Sequence, residues 1–300
     1  MFVPPGFEQQ SVVTALGRVV YYTATPDRWL NTANPAPEKA TANLVFLHGF
    51  GGGSSAYEWS KVYPAFAAEY RIFAPDLLGW GRSEHPERDY QPSDYINTIV
   101  ELIENTCPSA PIVIASSLTA ALTVRAAIAH PELFKALILT TPSGLSDFGQ
   151  DYKRSFFAQL VSTPVIDRTI YSLGIANSVG IRNFLEQRQF AEPNRITPEM
   201  VEAYLASAQQ PNAEYAALSF VRGDLCFDLA AYLEQLTTPT AILWGRQSAF
   251  TSPEMGQRLA KLNPQAIKVF QLLDDVGLTP QLEVPAVTIA LIRRYLTLLQ

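Results

Sequence analysis

Two adjacent serines, Ser116 and Ser117, stand in an apolar stretch of the chain and are the first candidates for chemistry. A neutral hydroxyl is a weak nucleophile and needs a neighbouring base, most often a histidine, to take its proton. The chain has three histidines: His48, His85 and His130. A serine pair in an apolar stretch is more often structural than catalytic, so a catalytic role depends on the elements that surround it.

Short apolar runs alternate with longer helical segments and predict the sheet that would position these residues. Buried strands of a parallel sheet are near-continuous apolar runs. We predict such strands at Asn43–Leu47, Arg71–Pro75, Ile112–Ala115, Ala136–Thr140, Thr240–Trp244 and Lys268–Leu273. The segment Ser11–Thr25, with a glycine at its centre, predicts an antiparallel hairpin. The expected fold class is α/β, a mostly parallel, doubly wound sheet whose ligand crevice lies at the carboxyl ends of the strands.

One interval between the core strands, Ser146–Arg222, lacks a convincing strand and is rich in helix-forming residues. We predict a helical cap at 146–222, inserted into a core formed by 1–145 and 223–300. Its expected helices are Tyr152–Leu173, Val179–Phe190 and Thr197–Ser207. Its aromatic residues are candidates for pocket walls, although packing within the cap is the more common role: Phe156, Phe157, Tyr171 and Phe184. The polar segment Asn31–Ala42 is expected to be a surface loop.

Three segments, in the right order, resemble the α/β-hydrolase fold family. They are Leu47–Gly51 (LHGFG), Asp76–Ser83 (DLLGWGRS) and Ile112–Pro131 (IVIASSLTAALTVRAAIAHP). The resemblance extends from about Asn43 to the C-terminus and implies that family's fold, with a helical cap. It also implies that His48 and Gly49 belong to a turn whose next residue, Phe50, donates a backbone N–H to an oxyanion hole, with Leu118 as the second donor.

The same resemblance places Ser117 at the family's nucleophile elbow, a strained turn between a strand and a helix that needs small residues. The family pattern G-x-S-x-G reads here Ala115-Ser116-Ser117-Leu118-Thr119. Thr119 is the harder change, because its extra atoms lie where the start of the helix approaches the strand. Its hydroxyl is a candidate to point into the crevice.

Both groups that would activate the serine are replaced. The family's acid lies in a pattern resembling W-G-x-x-D and its base in a pattern resembling G-H-x-P-x-x-E-x-P. This chain reads WGRQS at 244–248 and GLTPQLEVP at 277–285. Ser248 therefore replaces the acid and Leu278 replaces the base. Asp147, Asp274 and Asp275 are expected to be solvated loop acids near the crevice mouth, and each is a weak base in principle.

Composition excludes several other functions. The 300 residues include 22 Lys and Arg against 28 Asp and Glu, a net charge of -6, which has the wrong sign for nucleic-acid binding. Two cysteines, Cys107 and Cys226, form no disulfide framework or zinc-like spacing, so we expect a cytoplasmic protein without a metal or other cofactor. Neither a secretory signal at Met1–Gln10 nor a transmembrane segment at Ile112–Ala129 is predicted.

Three functions stay open at this point. The favoured one is a non-hydrolytic pseudo-enzyme that binds a small apolar or acyl-type ligand bearing an oxygen, or a protein partner. The second is a carboxylic-ester hydrolase in which His48, an acidic loop residue or the substrate activates Ser117. The third is a purely structural partner protein whose crevice is filled by its own side chains around Thr119 and Leu278.

Overall fold

Six parallel strands, extended at one edge by an antiparallel hairpin, form the sheet of this protein. The computed structural model describes residues 3–25, 42–150 and 171–299. Its strands are β1 (Phe7–Thr14), β2 (Gly17–Ala24), β3 (Asn43–Leu47), β4 (Arg71–Pro75), β5 (Ile112–Ser116), β6 (Ala136–Thr140), β7 (Thr240–Gly245) and β8 (Ile267–Leu273). Their spatial order is β1-β2-β4-β3-β5-β6-β7-β8, with β1 antiparallel to β2 and β2 antiparallel to β4. The fold class predicted from the sequence is therefore confirmed.

Apolar side chains cover both faces of the sheet because successive residues of a strand point to opposite sides. In β3, Val45 and Leu47 belong to one buried cluster, while Leu44 and Phe46 belong to another on the opposite face. Helices fill the crossovers between the parallel strands and follow the last strand. They are α1 (Pro92–Thr106), α2 (Ser117–Ala129), α6 (Ala230–Leu233), α7 (Pro253–Leu262), α8 (Pro280–Glu283) and α9 (Pro285–Leu298).

The segment between β6 and β7 contains several helices joined by turns, and it has no β-strand among its described residues. It contains α3 (Ser178–Phe184), α4 (Pro198–Ala208) and α5 (Ala213–Val221). Two of these helices begin at a side-chain cap: Asn177 accepts a hydrogen bond from the N–H of Gly180, and Thr197 accepts one from the N–H of Met200. The apolar cluster beneath these helices also includes Tyr57 of the core, so this helical segment packs directly on the sheet domain.

The structure departs from the sequence prediction at one helix of this segment. We predicted a single helix at Val179–Phe190, but α3 ends at Phe184 and the chain continues as a π-helical turn, Leu185–Gln189. Most of the predicted helix Tyr152–Leu173 and nearly all of the predicted loop Asn31–Ala42 lie outside the described residues. None of the helices in the described part of the chain has both the length and the apolar character needed to cross a lipid bilayer.

Candidate functional site

The candidate nucleophile, Ser117, lies at a strained turn between β5 and α2. Its φ angle is +57°, a left-handed conformation that a residue with a side chain adopts at a cost of about 1 to 3 kcal/mol. The residue is buried, with 8% of its surface exposed. Two residues further on, Thr119 is completely buried, and its hydroxyl has no hydrogen-bond partner within the described residues. The backbone at Ser117 therefore has the form that the family resemblance implies for a nucleophile elbow.

The glycine-rich turn after β3 lies directly against this elbow. A Cβ atom on Gly49 would lie 3.3 Å from the Cβ of Ser117, closer than most real contacts of this kind, so glycine allows the approach. The next residue, Phe50, is fixed by aromatic contacts: its ring stacks on Trp80 at 5.3 Å between centroids. Leu118 is in the first turn of α2, where a backbone N–H has no acceptor within the helix. The two N–H groups assigned to the oxyanion hole thus belong to adjoining segments.

His48 supports this turn through both nitrogens of its ring. Its Nδ1 lies 2.7 Å from the carbonyl oxygen of Gly49, and because a carbonyl can only accept, Nδ1 carries the proton. Its Nε2 accepts a hydrogen bond of 3.0 Å from the backbone N–H of Leu77. Burial lowers the pKa of His48 to about 4, so the imidazole is neutral at pH 7. With its lone pair on Nε2 already engaged, His48 is not placed to take a proton from Ser117.

The loops that hold Ser248 and Leu278 lie side by side. Gln247 donates its backbone N–H to the carbonyl oxygen of Val276 at 3.0 Å, and its side-chain oxygen accepts from the N–H of Val276 at 3.1 Å. Leu278 is buried with 4% of its surface exposed. The Ser248 hydroxyl is buried and makes no hydrogen bond with any described residue. The structure thus brings the two replaced positions together and places an apolar side chain and a neutral hydroxyl there.

The segment that follows Leu278 contacts the serine pair through a side-chain hydrogen bond. Gln281, in α8, donates from Nε2 to the hydroxyl oxygen of Ser116 at 3.2 Å. This contact joins the segment after β8 to the end of β5. The replaced base position and the serine pair are therefore parts of one site.

One of the acidic residues, Asp147, is not a solvated loop acid, and that expectation was wrong. Its side chain is buried and accepts hydrogen bonds from the Ser143 hydroxyl at 2.6 Å and from the N–H of Leu229 at 2.8 Å. Burial raises the pKa of Asp147, while these donors oppose that rise. Asp274 and Asp275 are exposed, as expected. Asp147 therefore links its own loop to the segment that contains Leu229, and both of its side-chain oxygens already accept hydrogen bonds.

Glu58 is a buried carboxylate at the site that the sequence reasoning missed as a site residue. Its side chain is 1% exposed, and its Oε2 accepts the backbone N–H of Gly49 at 2.9 Å. Its Oε1 accepts the hydroxyl of Tyr204, in α4, at 3.1 Å, and that hydroxyl in turn accepts from Gln189 at 2.6 Å. Burial raises the pKa of Glu58, and the donors around it oppose the rise. A lone acid beside Trp59 within an apolar, aromatic segment was the signal that could have identified it.

A cavity of about 940 Å³ lies between the helices inserted after β6 and the carboxyl edge of the sheet. Its apolar wall includes Leu145, Phe184, Phe220, Ala249 and Phe250, and Gly51 and Gly52 contribute the floor beside the oxyanion turn. Ser117 is not among the residues that line it. The cavity therefore reaches the turn after β3 at Gly51 and Gly52, and its lining is mostly apolar.

The aromatic residues predicted as candidates for pocket walls occupy different positions in the structure. Phe184 lines the cavity, whereas Tyr171 is buried and donates its hydroxyl to the carbonyl oxygen of Ala208 at 2.7 Å. Phe156 and Phe157 lie outside the described residues. In the part of the chain that the structure describes, no group of three or more His, Cys, Asp or Glu side chains is arranged to hold a metal ion.

Comparison with known proteins decides the family. The model described as "Alpha/beta hydrolase family" matches residues 44–291 of this chain. The chain belongs to the alpha/beta hydrolase family.

Individual relatives of this family are similar at moderate identity. "Epoxide hydrolase 4" of Mus musculus is 25% identical over 234 residues, covering 74% of this chain and 64% of that protein, so the match spans just under two thirds of its length. "Lipase 1" of Psychrobacter immobilis is 25% identical over 244 residues, covering 80% of this chain and 72% of that protein. The solved structure "Epoxide hydrolase CorEH without ligand" has a TM-score of 0.76 at 18% identity, covering 98% of this chain and 100% of that one. That structural likeness shows the fold alone.

In this alpha/beta hydrolase fold, the turn at Ser117 has the strained backbone of a nucleophile elbow, but the position of the family's base holds no proton acceptor. Ser117 and Gly49 are in contact range, and the loops of Ser248 and Leu278 adjoin each other. None of the three histidines occupies the base position: His48 is tied to the backbone, His85 lies near Gly81, and His130 lies beside Glu132 at a helix end. No histidine of this chain is therefore at the position of the family's base.

Proposed function

We propose that this chain is a non-hydrolytic member of the alpha/beta hydrolase family that binds a small, largely apolar ligand in the cavity beside Ser117. The observation that carries the proposal is the state of His48, whose two ring nitrogens are both hydrogen-bonded to the backbone. Leu278 offers no proton acceptor at the base position, and the buried carboxylates Asp147 and Glu58 already accept from several donors.

The cavity supports a binding role over a purely structural one. Ligand sites are typically clefts of about 300 to 1,000 Å³ lined by apolar side chains with a few polar groups, and a cavity of about 940 Å³ falls in that range. A structural partner protein would instead be expected to fill its crevice with its own side chains. We therefore favour a ligand-binding role over a structural role.

The test is covalent labelling of the wild-type protein by a fluorophosphonate, followed by intact mass measurement and peptide mapping. These reagents label serines that a neighbouring base has activated. We expect no stoichiometric labelling of the wild type within an hour, and likewise no increase in the mass of the Ser117→Ala control after treatment. Rapid labelling that maps to Ser117 would overturn the proposal, because it would show that an activating group exists.

A second candidate function is supported by the elbow itself. Ser117 keeps the strained φ of +57°, and one relative of the chain is named a lipase. On this alternative the protein hydrolyses carboxylic esters with a substrate-derived or otherwise unusual activating group. It predicts that the wild type hydrolyses a short activated ester and that Ser117→Ala abolishes the rate. A rate equal in both proteins would leave only the binding function.

A further inference from the structure

Three polar side chains that line the cavity come from one helical stretch, and Gln150 is a fourth polar residue of the lining. Asn183 lies in α3, and Gln187 and Arg188 lie in the π-helical turn that follows it. All three line the cavity and are exposed, whereas Leu145 and Phe220 of its apolar wall are buried. Asn183 and Gln187 are four positions apart, a spacing that puts two residues on one side of a helix, and the same holds for Phe184 and Arg188. The site is thus divided into an apolar interior and a hydrogen-bonding entrance.

The charge at this entrance is positive, in contrast to the chain as a whole. Arg188 is the only charged residue among the described residues that line the cavity, and no Asp or Glu accompanies it there. The full sequence carries 28 acidic residues against 22 basic ones, so the described lining of the cavity, with one cation and no acid, differs from the average of the chain.

Within the described residues, no carboxylate pairs with Arg188, whereas Arg182, one and a half turns earlier, pairs with Glu186 at 2.9 Å. An arginine fork matches the geometry of a carboxylate, and the amide groups of Asn183 and Gln187 are further donors within the same rim. The entrance is therefore suited to an anionic group.

We propose that the cavity binds an amphipathic carboxylate, with the carboxylate at Arg188 and the apolar body against Leu145, Phe220 and Phe250. This inference rests on the proposed binding function and adds the class of ligand and the residue that selects it. No bond is made or broken in this step. The carboxylate retains its charge, and the interaction consists of charge-assisted hydrogen bonds at the rim and apolar burial in the interior.

The experiment compares two probes of equal chain length, dodecanoate and dodecan-1-ol, by isothermal titration calorimetry at pH 8 and below their aggregation concentrations. We expect the wild type to bind dodecanoate about five- to tenfold more tightly, because a partly exposed charge-assisted contact is worth about one decade of affinity or less. Arg188→Gln is expected to lose this preference while keeping its affinity for dodecan-1-ol. Since Arg188 is exposed, its replacement leaves the core intact.

Arg182→Gln is the matched control, because it removes an equal charge from the same helical stretch at a residue that does not line the cavity. The control is expected to keep the preference for dodecanoate. Equal affinities of the wild type for the two probes, binding of neither probe, or equal losses in the two arginine variants would each overturn the inference. Tight binding of dodecan-1-ol without a preference for dodecanoate would overturn this inference but leave the proposed binding function in place. Labelling of Ser117 by a fluorophosphonate would overturn the proposed function itself.

Discussion

Replacing His48 by asparagine tests whether this imidazole is locked in the neutral form, on which the proposed function depends. The asparagine amide nitrogen can still donate to the carbonyl oxygen of Gly49, but its side chain is too short to accept from the N–H of Leu77. A buried N–H without a partner costs about 1 to 3 kcal/mol. We therefore expect His48→Asn to lower the free energy of unfolding by about 1 to 3 kcal/mol at pH 7.5.

The pH dependence of that loss is the sharper measurement. Burial lowers the pKa of His48 from 6.5 to about 4, so its contribution to stability is complete above pH 6.5 and is lost as the pH falls toward 4. Each pH unit across this interval corresponds to about 1.4 kcal/mol, which gives the wild type a loss of about 2.5 kcal/mol by pH 4.5. The asparagine variant lacks this titration. Its deficit should therefore shrink to about zero, or reverse, between pH 7.5 and pH 4.5.

The comparison has to be made between variants, because another buried group has the opposite dependence. Burial raises the pKa of Asp76 to about 6, so its contribution is present at low pH and is lost as the pH rises through 6. Asp76 is common to both proteins and cancels in their difference.

The assay is urea unfolding of both proteins at intervals from pH 4.5 to pH 7.5, with His130→Asn as the control for loss of an exposed histidine. The His130 variant is expected to differ from the wild type by less than about 0.5 kcal/mol at pH 7.5. A deficit of His48→Asn that stays constant across the range would refute the reasoning. It would mean that His48 takes up protons as readily in the folded state as in the unfolded one, and the main support for the non-hydrolytic function would be gone.

Two further predictions concern the replaced acid and base, and the contact between Gly53 and Tyr204. Restoring both groups in Ser248→Asp with Leu278→His should raise the rate of hydrolysis of p-nitrophenyl acetate about tenfold or more above either single variant, because triad members act as a unit; a double variant no faster than the single ones would contradict this. Gly53→Ala should destabilise the protein by about 3 kcal/mol in thermal or urea unfolding, since φ is +93° and the new Cβ would lie 2.0 Å from the carbonyl oxygen of Tyr204. Gly149→Ala is the matched control with φ of +79° and no atom within 4 Å, and should cost about 1 kcal/mol; equal losses would show that the contact with Tyr204 does not hold the cap.

The strands of the sheet could be predicted closely because each of them is visible in the sequence as a short apolar run. A parallel strand is buried on both faces, so Arg71–Pro75 and Ala136–Thr140 appear in the sequence as apolar runs, and the structure has strands with these bounds. The end of the helix predicted at Val179–Phe190 was harder to predict. Apolar periodicity does not distinguish a continuous α-helix from an α-helix that ends in a π-helical turn. The sequence predicted helices between β6 and β7, and the described part of that segment contains them, whereas the local form of their backbone could not be predicted.

Motif spacing predicted Ser117, Ser248 and Leu278 as site residues, and their roles stay predictions. The contacts around them, such as those of Gln247 with Val276 and of Gln281 with Ser116, could not be predicted. The hydrogen bond between Glu58 and Tyr204 joins residues 146 positions apart, and no local pattern contains such a pair. For the same reason the burial of Asp147 was missed, since its donor Leu229 lies 82 positions away.

The geometry of the elbow bears on how the restored base should be interpreted. Replacing a buried charged pair by Leu278 and Ser248 removes a desolvation cost, because buried ion pairs are often no more stable than apolar side chains of similar size. The strain at Ser117 has not been removed in the same way: φ is still +57°, although a glycine would adopt it at lower cost. The strained turn at Ser117 is therefore present, and we expect a restored aspartate and histidine to be sufficient for hydrolysis. If the double variant folds and remains inactive, the fault lies in the elbow, and Thr119, whose buried hydroxyl has no partner among the described residues, is the residue to replace by glycine next.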